Sequence, residues 1–106
     1  MRVIVFGATG SIGHLTVQEL LKEGHEVTAF ARNPQKLSFT NPKLSLIAGD
    51  ALDGKDVLAA VKDHDAVVIT LGSGMSRRSI IRSKGTKNVI RAMHAHSVRR
   101  LICQST

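Results

Sequence analysis

The sequence predicts an α/β domain built on a parallel sheet, and three observations carry that expectation. Short apolar runs of strand length recur at 2–6, 26–31, 44–48, 66–71 and 100–104. Between most of them the apolar residues shift to helical spacing. The run Ala66-Val67-Val68-Ile69-Thr70-Leu71 is nearly unbroken, as in a central parallel strand covered on both faces.

The chain has 106 residues, 42% of them hydrophobic, which is enough for one domain with one core. No apolar run approaches the ~20 residues that span a bilayer. The first residues lead straight into a glycine turn, unlike the layout of a signal peptide. A lone cysteine, Cys103, cannot form an internal disulfide, which fits a reducing compartment. A cytoplasmic setting is expected, with no membrane as partner.

The formal net charge of +7 is unevenly placed. After Asp65 no acidic residue occurs, while Arg77, Arg78, Arg82, Lys84, Lys87, Arg91, Arg99 and Arg100 follow. A basic face invites polyanions, so nucleic acid is one candidate partner. Against it, the chain has no Trp or Tyr and only Phe6, Phe30 and Phe39 to stack on bases. A solvated helix face, or a surface neutralised by an acidic partner, explains the same charges.

The opening strand, Arg2-Val3-Ile4-Val5-Phe6, runs into Gly7-Ala8-Thr9-Gly10-Ser11-Ile12-Gly13. A strand, a glycine-rich turn and a helix in that order place backbone N–H groups and a positive helix end around a diphosphate. Gly7 allows the sharp turn, Gly10 carries no side chain to hold a phosphate off, and Gly13 lets the first helical turn lie close. Thr9 and Ser11 add hydroxyl donors, and Ser11 can also cap the helix. The spacing is G-x-x-G-x-x-G, not the better-known G-x-G-x-x-G, so an ordinary flexible turn is the competing reading.

The first helix follows over 12–23, with Ile12, Val17, Leu20 and Leu21 on one stripe and Gly24 as its stop. The second strand, 26–31, ends in Ala31-Arg32-Asn33, with Lys36 one turn on. In a dinucleotide fold that end faces the adenosine ribose, where an acid would bond the 2′-hydroxyl. Arg32 offers a planar cation suited to a phosphate, which favours NADP(H) over NAD(H). The alternative is a surface arginine with nothing to bind.

Asn33-Pro34 opens a short turn, and Asn41-Pro42 marks a second loop. The third strand, 44–48, closes in Gly49-Asp50; Asp50 either meets an adenine amino group or caps the next segment. A modest helix over 56–62 presents Val57, Leu58 and Val61 as its buried side. After the fourth strand, Gly72-Ser73-Gly74 open space where a ribose and nicotinamide would pass. Helical spacing returns over 80–95 with Ile81, Val89, Ile90 and Met93, and Gly85 allows close packing on the sheet or on a cofactor. The fifth strand, 100–104, puts Cys103 in a central position as a small buried hydrophobe, and Ser105 and Thr106 at its tip.

The five histidines show no metal pattern. His94 and His96 are two apart on a helix and point to different sides, where a zinc pair needs a spacing of four. His14, His25 and His64 stand alone, with surface or packing roles.

Taken together, the run from Val3 to Gly13, Ala31-Arg32-Asn33-Pro34, Gly49-Asp50, Leu71-Gly72 and Gly85-Thr86-Lys87-Asn88 resemble the NAD(P)H-binding, NmrA-like group of atypical short-chain dehydrogenases. Within it the chain is most similar to biliverdin-IXβ/flavin reductase-like proteins. The resemblance implies a Rossmann-like, three-layer α/β/α domain over 1–106 with strand order 3-2-1-4-5 and NADP(H) across the carboxyl ends of the strands. It implies that Gly7, Thr9, Gly10, Ser11, Ile12 and Gly13 hold the diphosphate and that Arg32 with Lys36 holds the 2′-phosphate. Asp50 and Ala51 would line the adenine, and Leu71, Gly72 and Ser73 the ribose and nicotinamide side. Ser105 or Thr106 would match the serine or threonine that such proteins place near the nicotinamide.

Two departures matter. The sequence has no tyrosine and so lacks the Tyr-x-x-x-Lys pair of many short-chain dehydrogenases, which the flavin-reductase-like members also do without. It also stops at the fifth strand, which implies that the substrate-binding part of such proteins lies outside these residues. The expected function is therefore the cofactor domain of an NADPH-dependent reductase acting on a flavin-like or other conjugated small-molecule acceptor. The alternatives are a non-catalytic NADP(H)-sensing module and, more weakly, nucleic-acid binding. An exposed fifth-strand edge and an uncovered sheet face are where a second copy would pair as a homodimer.

Overall fold

The computed structural model describes residues 1–8, 11–37, 40–71 and 84–105, with the side chains of 11, 12, 71 and 103–105 left undescribed. Along the chain run β1 (Arg2–Phe6), α1 (Ser11–Lys22), β2 (Glu26–Ala31), a 3-10 turn (Pro34–Lys36) and β3 (Leu44–Ala48). Then come α2 (Gly54–Val61), β4 (Ala66–Leu71), α3 (Lys84–Ala95) and β5 (Arg100–Ser105).

All five strands are parallel, in the order β3-β2-β1-β4-β5. Their carboxyl ends therefore share one rim. The order reverses between β1 and β4: from β1 the chain steps outward to β2 and β3, then returns to the far side of β1. Such a reversal leaves a crevice at the carboxyl ends, where α/β sheets bind ligands.

Side-chain alternation along the central strand sorts the core into two layers. Ile4 and Phe6 face Val57, Ala60 and Val61 of α2 and Val89, Ala92 and Met93 of α3. Val3 and Val5 face the other way, onto Val17 of α1, with Leu20 and Leu21 packed against that layer. β1, β2 and β4 are buried on both faces, which is why they read as continuous apolar runs. Phe6 and Phe30 meet with ring centroids 4.7 Å apart and planes tilted by 47°. That contact is worth about 1 kcal/mol beyond the area it buries.

Helix ends follow the local chemistry. α1 stops at Gly24, whose φ of +91° a side chain would resist. There Gly24 N–H donates to Leu21 O and His25 N–H to Leu20 O, the paired closure that a glycine in this position allows. α2 starts at Asp53, whose carboxylate accepts the Lys55 N–H at 3.0 Å.

Several expectations are corrected. Leu58 and Ile90 are exposed, while Ala60 and Ala92 are buried, because α2 and α3 pack against each other as well as on the sheet. β5 is an edge strand among the described residues, not a central one, and Leu101 and Ile102 on it are exposed. Gly85 faces the β3–α2 loop and not the sheet: a Cβ there would meet Ala51 Cβ at an ordinary 3.5 Å. No described helix is long and apolar enough to cross a membrane.

At the opposite rim, His64 is buried between β4 and β2. Its Nδ1 lies 3.0 Å from Lys62 O, an acceptor, so Nδ1 carries the proton and Nε2 accepts from the Thr28 hydroxyl at 2.8 Å. Burial holds its pKa below the ordinary histidine value, helped by the charge of Arg2 and opposed by backbone acceptors and Asp63. The unfolded chain therefore takes up this proton first as pH falls. The stabilisation is full above about pH 6.5 and is lost as pH drops through that value toward the folded pKa. Thermal melts at pH 7.5 and 5.5 should show a loss of stability at the lower pH that His64→Gln reduces; an unchanged difference in the variant would contradict this.

Candidate functional site

The site is built on the turn after β1. Gly7 sits there with φ +79°, in the left-handed region. A Cβ on it would stand 2.6 Å from Thr70 Oγ1 and 2.8 Å from Thr70 O. The Thr70 hydroxyl lies 2.9 Å from Phe6 O and 3.0 Å from Gly7 O, so β4 clasps the exit of β1. Gly13, in the first turn of α1, lies directly on this exit. A Cβ there would overlap the Gly7 carbonyl oxygen and stand 2.8 Å from its carbon and 2.9 Å from Ala8 Cα. The helix start is thus held against the strand end, the placement in which a helix N-terminus can offer N–H groups and a positive dipole to an anion.

Beside this turn lies a cleft of about 570 Å³, lined by Gly7, Phe30, Ala31, Arg32, Asp50 and Ala51 among others. Its size falls within the usual range for small-molecule sites. Phe30, 2% exposed, forms part of its floor, and Gly49 fits over that ring: a Cβ at 49 would come within 2.8 Å of Phe30 Cζ. Arg32 and Lys36 also line it. They are brought together by the 3-10 turn, in which Lys36 N–H donates to Asn33 O and Leu37 N–H to Pro34 O at 3.1 Å. Buried Pro34 and half-buried Leu37 anchor that turn, leaving both cations exposed.

Opposite them, the Gly49–Leu52 loop is fastened from three directions. Asp50 N–H donates to Asp56 Oδ2 at 3.0 Å, and Leu52 N–H to Asp50 Oδ1 at 2.9 Å. The Asn88 side-chain amide of α3 donates to Ala51 O at 3.0 Å. Asp50 thus orders its own loop, while Asp53 caps α2. Arg32 Nη2 stands 3.8 Å from Asp50 Oδ1, with 76% and 46% of the two side chains exposed.

Of the expected cofactor residues, Gly7, Arg32, Lys36, Asp50 and Ala51 line one cleft, and Gly13 packs under it. Ser11 and Ile12 open α1 at the same rim, and Leu71 ends β4 opposite Ser105 of β5. Thr9, Gly10, Gly72, Ser73 and Thr106 lie outside the described residues. Sequence reasoning missed Thr70, Asp56 and Asn88 as supports. Thr70 and Asn88 act across fold contacts, 64 and 37 positions from their partners, so no local pattern announces them, whereas Asp56 closes a loop only six positions long.

A family model described as NAD(P)H-binding matches residues 7–106. The chain belongs to the NAD(P)H-binding family. It is 35% identical over 113 aligned positions to a 3-beta-hydroxysteroid dehydrogenase of Mycolicibacterium neoaurum, covering 95% of this chain and 31% of that protein. A 3-diazoavenalumate denitrifying reductase of a Streptomyces species is 32% identical, over 99% of this chain and 38% of its own length. Among solved structures, a Rossmann-fold NAD(P)-binding family protein from Shigella flexneri superposes with a TM-score of 0.78 at 29% identity, over 94% of this chain and 49% of that one. The chain thus spans about a third of the length of these curated relatives. It is an NAD(P)-binding domain of an oxidoreductase family, and the expected fold and strand order are those observed.

The chain's own residues suit such a cofactor. The cleft pairs an apolar, aromatic floor with two exposed cations at one end and a glycine turn under a helix start at the other. That is the donor set an adenosine and its phosphates require.

Proposed function

We propose that this chain is the NADP(H)-binding domain of a reductase that passes hydride from NADPH to a flavin-like or other conjugated acceptor. The observation that carries the cofactor preference is the pair Arg32 and Lys36 at the end of β2, where a chain selective for NAD would place a carboxylate on the ribose. Arg32 and Lys36 would hold the 2′-phosphate, Asp50 and Ala51 would border the adenine, and Gly7 with the start of α1 would carry the diphosphate. When bound, the nicotinamide supplies the hydride, and the protein's part is to hold it with one face open to a flat acceptor. Ser105, the last residue of β5, and Thr106, which follows it in the sequence, are the candidates to meet that acceptor side. A cytoplasmic setting belongs to the same reading and rests on the single cysteine.

A second reading is an NADP(H)-sensing module, in which the same cleft binds the cofactor without passing its hydride on. NADPH oxidation followed with flavin mononucleotide or a quinone as acceptor separates the two. Turnover above the protein-free rate supports the reductase, and binding without turnover supports the sensor. Salt-sensitive binding to random DNA that NADP does not compete away would favour the basic surface instead.

A further inference from the structure

We propose that Asp50 sets how strongly the cleft prefers a 2′-phosphorylated adenosine, by acting as the counter-ion that Arg32 leaves when such a ligand arrives. The inference rests on the placement of adenosine in this cleft. It concerns a carboxylate whose charge opposes the recognition that Arg32 provides.

Three observations support it. Arg32 has one ion-pair partner among the described residues, Asp50, at 3.8 Å, with the arginine largely and the aspartate about half in solvent. A pair that long and that exposed is weak and readily exchanged. The two partners also differ in freedom. Asp50 is tied through the Leu52 N–H on its carboxylate and the Asp56 carboxylate on its backbone N–H, and its neighbour Ala51 is tied to Asn88. Arg32 has no such tie among the described residues, so of the two partners the arginine is the one free to turn toward a ligand.

The consequence is a standing negative charge on the same cleft as Arg32 and Lys36. Toward a sugar hydroxyl it is an acceptor. Toward a dianionic phosphate it is a like charge, and it also competes for the guanidinium. The cleft therefore admits both forms of the adenosine end and favours the phosphorylated one less than its two cations alone would.

Asp50→Asn isolates this effect, because the amide oxygen can still accept the Leu52 N–H while the charge is gone. Calorimetric titration of wild type and variant with adenosine 2′,5′-bisphosphate and with 5′-AMP should show the ratio of affinities moving about fivefold toward the bisphosphate. The shift should shrink in an Arg32→Gln background. Asp50→Ser, which keeps a short acceptor without charge, should move the ratio the same way and guards against a folding defect in the first variant. A role confined to ordering the loop would change both ligands alike and leave the ratio fixed, which overturns the inference alone. A wild-type protein that binds neither ligand overturns the adenosine site and the inference with it.

Discussion

Gly13→Ala is expected to cost about 3 kcal/mol of stability or more and to abolish dinucleotide binding. The new Cβ would occupy the position of the Gly7 carbonyl oxygen, and its next neighbours are also backbone, the Gly7 carbonyl carbon and Ala8 Cα. Backbone can yield here only if the turn moves. That turn is fixed by the φ of +79° at Gly7 and by the Thr70 hydroxyl against Phe6 O and Gly7 O. Relief requires pushing the start of α1 off the strand end, which removes its N–H groups from the crevice. Gly85→Ala provides the contrast, since its Cβ would make only ordinary contact with Ala51 and alanine is the better helix former. Urea denaturation of both variants decides the matter: a Gly13→Ala loss below about 1 kcal/mol would show that the close approach is not needed.

Arg32→Glu should weaken a 2′-phosphorylated cofactor by about a hundredfold while changing the unphosphorylated one by no more than about threefold. The wild-type Arg32 side chain is 76% exposed and its weak partner is easily left, so it can turn to meet a phosphate. Glutamate removes the donor and adds repulsion against a dianion. With NADH, the same carboxylate meets a neutral ribose and can accept from its hydroxyl. Kd values for NADPH and NADH from fluorescence titration give the answer. Equal losses for both would mean that Arg32 contributes to the cleft without reading the 2′ position.

Much of this was legible in the sequence, and what was not follows a physical pattern. The inner strands declared themselves because burial on both faces makes them continuous apolar runs, as at Ala66–Leu71. Gly7, Gly13 and Gly24 were readable because each sits where backbone geometry or a close approach admits little else. Arg32 and Lys36 were readable by their offset from the end of β2. Helix faces were less so: Leu58 and Ile90 are apolar yet exposed, because helical spacing does not reveal where a neighbouring helix sits. Asp56, Asn88 and Thr70 look like ordinary polar residues in the chain. Asn88 and Thr70 acquire their roles only when folding brings each to a backbone group of another segment, and Asp56 when its loop closes back on Asp50.

The most direct test of the whole account is an amide-proton NMR titration of the folded chain with NADP. The account predicts saturable shifts concentrated at Gly7, Ala31, Arg32 and the Gly49–Leu52 loop, along the carboxyl rim of the sheet. Shifts confined to the opposite rim around Thr28 and His64, or no shifts from a well-folded sample, would contradict it.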